Sequence, residues 1–326
     1  MNVLVVCHLG VGTGVGHFSR SMVVAKMLDQ HFNANIQWLI QGNKITHNNL
    51  DKFLVSFITV EENLAEKLIN LDGFDLVVFD LNSELIDIKL NDALISLQNS
   101  KVKLVAIDGL LSYRKHLDLI FIPSFHLSSK IDLNVNGAKI KYGWDCFLID
   151  KEKVPRNWQP GKHILALTGG SDSTLLGNSL PSLLNEKLPH DSILDWVRGP
   201  FSTIPIRPRI PKIRMIEHEA PKSLNSIMNT SNYAIAIYGV SFFELLRIGI
   251  PTVVFSPYGE KDNFELKIIQ ELGLAKVAIN EYEATEMLVD LMQNDILAQE
   301  LSNKAIKKMK FSGIENLAIE IKDLML

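Results

Sequence analysis

Only two cysteines occur in the 326 residues, Cys7 and Cys146, so no thiolate set with metal-site spacing exists. Cys7 falls inside an apolar run and reads as a small core residue of a reducing compartment. No basic run reaches five residues and the net charge is −4, which argues against a nucleic-acid partner, since backbone binding needs clustered Lys and Arg. The densest positive stretch, "KAIKKMK" at 304–310, reads as a solvated helix face or, less simply, as a patch facing an anionic membrane. No basic-then-apolar leader precedes the first strand, and no apolar run has bilayer length. These absences point to a cytoplasmic protein without a membrane span and leave room for peripheral association. Oligomeric state is not written in them.

What is present is alternation. Short β-rich runs at 2–8, 34–40, 53–59, 75–80, 103–108 and 117–123 are separated by helical patterns at 17–30, 61–70 and 84–99. A polar stretch with two prolines and a glycine, "DKEKVPRNWQPGKH" (150–163), reads as a linker. Strand patterns then resume at 164–170, 193–199, 213–218, 233–239 and 251–256, with helices expected at 174–187, 241–249, 261–272 and from 282 to the end. Apolar strands spaced by helices predict α/β domains with parallel sheets, one over 1–149 and one over 150–326. Ligands of such sheets bind outside the strands' carboxyl ends, which predicts a cleft between two facing domains.

Each half carries a glycine-rich turn after its first strand. In "GVGTGVGHFSR" (10–20) the dinucleotide pattern G-x-G-x-x-G fails in every register, because Val15 or His17 stands where the last glycine should be. Gln41 also ends the second strand where an acidic residue would hold a ribose 2′-hydroxyl. No Gly-Lys-Ser/Thr is present for a phosphate loop of the Walker type. What remains is a tight turn, or a set of backbone N–H groups at a helix N-terminus, around Gly14 and Gly16, suited to an anion. His17 stands at its mouth, where it could act as general base or donate to a phosphate. In "LTGGSDS" (167–173), Gly169 and Gly170 free the backbone, and Ser171 or Asp172 could cap the next helix. In "YGVSFFELLRIGIP" (238–251), Gly239 and Ser241 open a helix whose Glu244 has apolar neighbours. A carboxylate there needs partners, and two vicinal ribose hydroxyls would serve.

These three motifs, in this order and over both halves, resemble the GT-B nucleotide-sugar enzymes. The nearest likeness is to the UDP-sugar hydrolase of the pseudaminic acid pathway and its spore-coat-polysaccharide relatives. The lipid II-forming N-acetylglucosaminyltransferase is a more distant one. The resemblance implies a catalytic role for His17 within Gly14-x-Gly16-His17-x-x-Arg20, and a ribose contact for Glu244. It implies nucleotide or phosphate contacts for Gly14, Gly16, Gly169, Gly170, Ser171, Gly239 and Ser241. Arg20, Asp80, Asp108, Asp172, Asp262 and Asn263 map near the sugar or diphosphate. The sequence departs from the hydrolase pattern at Gly109 (usually a second aspartate), at Phe243 (often Asn) and at Lys261-Asp262 (an Asn-Gln pair).

The reading is therefore of two Rossmann-like domains of GT-B type. The second mainly holds a nucleotide diphosphate-sugar, and His17 activates a hydroxyl. The scheme calls for no cofactor and no metal. Water as acceptor makes a UDP-sugar hydrolase in surface-glycan synthesis, a sugar or lipid hydroxyl makes a glycosyltransferase, and absence of turnover makes a nucleotide-sugar binder.

Overall fold

The run "NVLVVCHL" becomes β1 (Asn2–Leu9), and every residue after Asn2 is buried in the computed structural model, which describes residues 1–45, 50–69, 71–127 and 136–326. A strand with no wet face belongs inside a parallel sheet covered on both sides. After it come α1 (Gly16–Phe32), β2 (Asn35–Gly42), β3 (Leu54–Ile58), α2 (Leu64–Ile69), β4 (Leu76–Asp80), α3 (Leu90–Asn99), β5 (Lys103–Ile107), β6 (Leu119–Ile122) and β7 (Lys139–Tyr142). Residue 70, the expected end of the second helix, lies outside the described residues. The sheet is parallel throughout, in the order β3-β2-β1-β4-β5-β6-β7. The chain thus winds one way from β1 to β3 and the other way from β4 onward, which opens a crevice at the carboxyl ends of β1 and β4.

A second sheet repeats the plan. Its elements are β8 (His163–Leu167), α4 (Leu180–Lys187), β9 (Ile193–Arg198), β10 (Arg214–Glu219), α5 (Asn225–Thr230), β11 (Tyr233–Ile237), α6 (Val240–Ile248), β12 (Thr252–Phe255), α7 (Asn263–Glu271), β13 (Lys276–Val277), α8 (Glu281–Met292) and α9 (Asp295–Lys308). The order β10-β9-β8-β11-β12-β13, again all parallel, places the corresponding crevice between β8 and β11. Each sheet has its own core, with Val6, Phe79 and Leu104 in the first and Ile164, Trp196 and Phe255 in the second.

Two expectations about domain limits change. The chain divides into Met1–Asp150 with Phe311–Leu326, and Lys151–Lys310, so the second unit does not run to the end of the chain. The last helix, α10 (Gly313–Met325), returns to the first unit, where its buried Ile314, Leu317 and Ile321 find an apolar surface against α1 and the turn Trp144–Cys146. Gly313 permits this approach, because a Cβ there would lie 2.5 Å from the Cys146 and Phe147 backbone. The polar segment 150–163 is also no loose linker beyond residue 150. Lys153 and Trp158 are buried, Arg156 donates to the Met228 and Ser231 carbonyls, and the Trp158 indole donates to the Asn232 carbonyl at 2.7 Å.

Glu320 of α10 is nearly buried and ion-paired with Lys139 and Lys141 of β7. Burial alone would raise its carboxyl, but the two ammonium groups hold it below the ordinary range. A lowered carboxylate stabilises the fold above its unfolded pKa of about 4.3 and loses that contribution as pH falls through the folded value. Because both lysines are largely in water, the pair is worth only about 1 kcal/mol. Urea unfolding should show Glu320→Gln less stable than the parent by that amount at neutral pH, with the difference closing as pH falls below about 4.

Candidate functional site

In the first unit the glycine turn folds on itself. Gly10 and Gly14 exchange backbone hydrogen bonds of 3.2 and 2.7 Å, with Gly12 and Gly14 at φ +90° and +67°. The Gly14 N–H, expected to face an anion, is thereby spent on the Gly10 carbonyl. Gly16 is instead the first residue of α1, whose first-turn N–H groups receive no side-chain cap from Val15. The helix springs from the crevice beside β4, where Cys7 and Asp80 are register partners.

His17 and Arg20, three apart on one face of α1, both reach Asp80. His17 Nδ1 lies 2.6 Å from Asp80 Oδ1, and Arg20 donates through Nε (2.9 Å) and Nη2 (2.7 Å) to the two carboxylate oxygens. Arg20 Nη1 continues to Asp108 Oδ2 at 2.5 Å, just past the end of β5. Asp80 is 1% exposed. Burial works to raise its carboxyl, and the Arg20 charge with the bonds from His17 and Arg20 overturns that and holds it low. An ionised Asp80 can only accept, so the proton of a neutral His17 sits on Nδ1 and Nε2 carries the lone pair. Nε2 has no hydrogen-bond partner among the described residues, and the side chain is 19% exposed. His17 and three of the six residues that the resemblance maps near the sugar or diphosphate, Arg20, Asp80 and Asp108, are thus one cluster.

Beneath it lies a layer not anticipated from the sequence. His8, buried in β1, accepts the Asn82 N–H at Nδ1 (3.0 Å) and donates from Nε2 to Gln41 Oε1 (3.1 Å). Gln41 in turn donates to the carbonyls of Thr59 and Glu62. The acidic-residue position read above as excluding a dinucleotide therefore orients a neutral imidazole. The signal available was a lone histidine in an otherwise apolar strand.

In the second unit Gly169 (φ +89°), Gly170 and Ser171 end β8, while Gly239 and Ser241 stand at the end of its neighbour β11. The α6 N-terminus has no side-chain cap, and nothing lies within 4 Å of where a Gly239 Cβ would be. Asp172, expected beside the sugar or diphosphate, is instead buried and accepts the Leu176 and Gly177 N–H groups at 3.0 and 2.8 Å. Burial raises its carboxyl despite those bonds. The helix expected from 174 begins only at Leu180, because Pro181 fits a first turn and not a helix interior. The Gly169–Gly170 turn is accordingly not the start of a helix.

Glu244 lies one turn into α6, half-buried, with Lys153 Nζ 3.7 Å away. One of its partners is thus a lysine of the polar segment 150–163. Phe243, where the resembled hydrolase often has Asn, is a core side chain packed edge-on against Tyr238 and Phe242. Asp262 accepts the Ser256 hydroxyl at 2.5 Å, and Asn263 opens α7. Asn263 and Ser256 help line a cavity of about 600 Å³ at the carboxyl ends of β12 and β13. Among the described residues no group of three or more His, Cys, Asp or Glu could hold a metal ion, and no helix is long and apolar enough to cross a membrane.

No protein-family model matches the chain, and no curated protein matches it either. Solved structures do. MurG of Acinetobacter baumannii is 14% identical with a TM-score of 0.63, covering 99% of each chain. Phytolacca americana UGT2, complexed with UDP-2-fluoroglucose and pterostilbene, is 14% identical with a TM-score of 0.66 and 99% coverage of each. UDP-GlcNAc 2-epimerase from Neisseria meningitidis, bound to UDP-GlcNAc, is 13% identical with a TM-score of 0.63, covering 99% of this chain and all of that one. At such identities the likeness is one of fold, and the fold is GT-B: two α/β units, each with a parallel sheet.

The buried His8 carries a pH signature. Burial, only partly offset by Gln41, lowers its pKa to about 4, against about 6.5 in an unfolded chain. The fold keeps it neutral, so its contribution is complete above pH 6.5 and is lost as pH falls from there toward 4, where the unfolded chain binds the proton first. Between pH 7.5 and 5 the parent should lose about 2 kcal/mol more than His8→Gln, measured by urea unfolding of each.

Proposed function

We propose that this chain uses a nucleotide diphosphate-sugar, a UDP-sugar in the first instance, and displaces UDP with a hydroxyl activated by His17. The observation that carries the reading is the His17–Asp80 pair: an ionised, buried carboxylate holds Nδ1 and leaves Nε2 as the base at the crevice of the first sheet. Nε2 takes the proton of the attacking hydroxyl as its oxygen bonds to the anomeric carbon. The imidazolium that forms is stabilised by Asp80, which Arg20 keeps in place. The bond to the diphosphate breaks and UDP leaves with the electron pair. Its charge would be met by the uncapped first turn of α6 and by the backbone at Gly169–Ser171, with Glu244 on the ribose. Two of the similar structures hold UDP-sugars or an analogue, which supports uridine as the base.

Water is the acceptor we favour, as in the pseudaminic acid pathway hydrolase that the motifs resemble. Tyr113, the first aromatic residue after β5 in the sequence, packs against the first core and does not stand out as a platform for a large acceptor. The second reading, transfer to a sugar or lipid hydroxyl, is supported by UGT2, whose structure holds pterostilbene together with the UDP-sugar analogue.

Incubation with a panel of UDP-sugars in labelled water separates these readings. Hydrolysis predicts UDP release without an acceptor, with the label in the freed sugar. Release only on adding an acceptor installs the transferase reading, and an epimerised UDP-sugar without UDP release overturns both. His17→Ala should lower turnover about 10²–10⁴-fold and leave UDP affinity nearly intact. Glu244→Ala should weaken UDP binding by about 1.5–3 kcal/mol in calorimetry on protein shown to be folded. Unchanged affinity would remove the ribose assignment.

A further inference from the structure

The connection between β9 and β10 is built unlike an ordinary crossover. Over "TIPIRPRIPKIR" (203–214) it has no helix, and Pro205, Pro208 and Pro211 forbid one. The segment is nevertheless pinned. Ile206 N–H donates to the Gly177 carbonyl at 2.8 Å, and buried Asn185 of α4 bonds the Ile210 carbonyl at 3.0 Å and the Lys212 N–H at 2.7 Å. Pro205 is buried, while Pro208 and Pro211 close a small cavity with Pro181.

With the backbone held this way, the isoleucines point out: Ile204 is 70% exposed, Ile206 55% and Ile210 79%. Single exposed apolar residues are ordinary, but three within seven residues on a fixed backbone are a local concentration of apolar surface. The same twelve residues hold Arg207, Arg209, Lys212 and Arg214 and no acid, in a chain whose net charge is −4. Arg207 faces Glu217, which with Glu219 is paired to Arg198. Arg209, Lys212 and Arg214 have no ion-pair partner among the described residues. Isoleucines flanked by uncompensated cations are complementary to a surface that is anionic outside and apolar just beneath.

We propose that residues 203–214 are a docking wedge for an anionic lipid bilayer, with the isoleucines entering the headgroup layer and Arg209, Lys212 and Arg214 lying on lipid phosphates. A wedge whose backbone is already ordered loses little conformational freedom on contact, which favours binding by a short segment. The device attaches a chain without a spanning helix among its described residues to a membrane surface. It does not depend on the nucleotide-sugar reading.

Co-sedimentation of the full chain with vesicles tests it, comparing equal parts phosphatidylglycerol and phosphatidylcholine with phosphatidylcholine alone. Binding is expected to the anionic vesicles only. Arg209→Gln/Lys212→Gln should lower partitioning about 30-fold, and Ile204→Ser/Ile210→Ser at least about 10-fold. Lys304→Gln/Lys307→Gln, in the cationic run on α9, should change it little. No binding to anionic vesicles, equal binding to both compositions, or binding lost only in the α9 variant would overturn the proposal. So would a concentration-dependent dimer abolished by Ile204→Ser/Ile210→Ser without vesicle binding, since that outcome gives the face to a second copy of the chain.

Discussion

A carboxylate at 1% exposure, at the end of a central strand, is tolerable only if a cation meets it with good geometry, and Arg20 does so with two hydrogen bonds to Asp80. Much of the first crevice depends on that pair. It ties α1 to β4, and through Nη1 of the same guanidinium it reaches Asp108 beyond β5. It keeps Asp80 ionised, which sets the tautomer of His17, and it does so in a layer where the other nearby histidine, His8, is held neutral by burial. Breaking the pair would strand a buried charge and free the imidazole together.

The second sheet repeats the order of six of the first sheet's seven strands, and its His218–Asp195 and Arg198–Glu217 pairs lie on β9 and β10, away from the crevice between β8 and β11. At its crevice the ionisable groups are engaged in building loops: Asp172 closes the turn at Leu176 and Gly177, Asp262 takes the Ser256 hydroxyl, and Glu244 faces Lys153. What it presents outward is backbone, at Gly239 and at the uncapped start of α6. The two units thus differ in what they present at their crevices. The first holds side chains fit for proton transfer, and the second offers oriented N–H groups fit for an anion.

The parts legible in the sequence are those with a strong local signal. Central strands such as β1, β4 and β11 are buried on both faces and read as unbroken apolar runs. The edge strands β7, "KIKY", and β13, of two residues, have one half-wet side or too little length, and no periodicity marks them. His17 is legible because a histidine at a loop-to-helix junction is conspicuous, whereas its bond to Asp80 spans 63 residues and only the structure shows it. That the Gly14 N–H goes to the Gly10 carbonyl is not legible, because composition tells that a turn is tight, not where its hydrogen bonds go. The return of α10 to the first unit is likewise a matter of which apolar surface is left uncovered, and no local pattern records that.

The charge count of the cluster bears on why His17, rather than a carboxylate, is the group suited to take a proton. Two carboxylates, Asp80 and Asp108, face one guanidinium, so with a neutral imidazole the four side chains carry one negative charge. Proton uptake at His17 Nε2 brings the cluster to neutrality, with the new cation held against Asp80 by a bond that already exists. A proton on Asp80 would instead leave the buried Arg20 short of its partner and remove the acceptor that orients the ring. Burial makes that alternative costly, since an uncompensated cation in low dielectric is penalised more than the pair is rewarded. The same ion pair that lets a carboxylate exist inside the sheet therefore makes His17 Nε2 a better proton acceptor than Asp80.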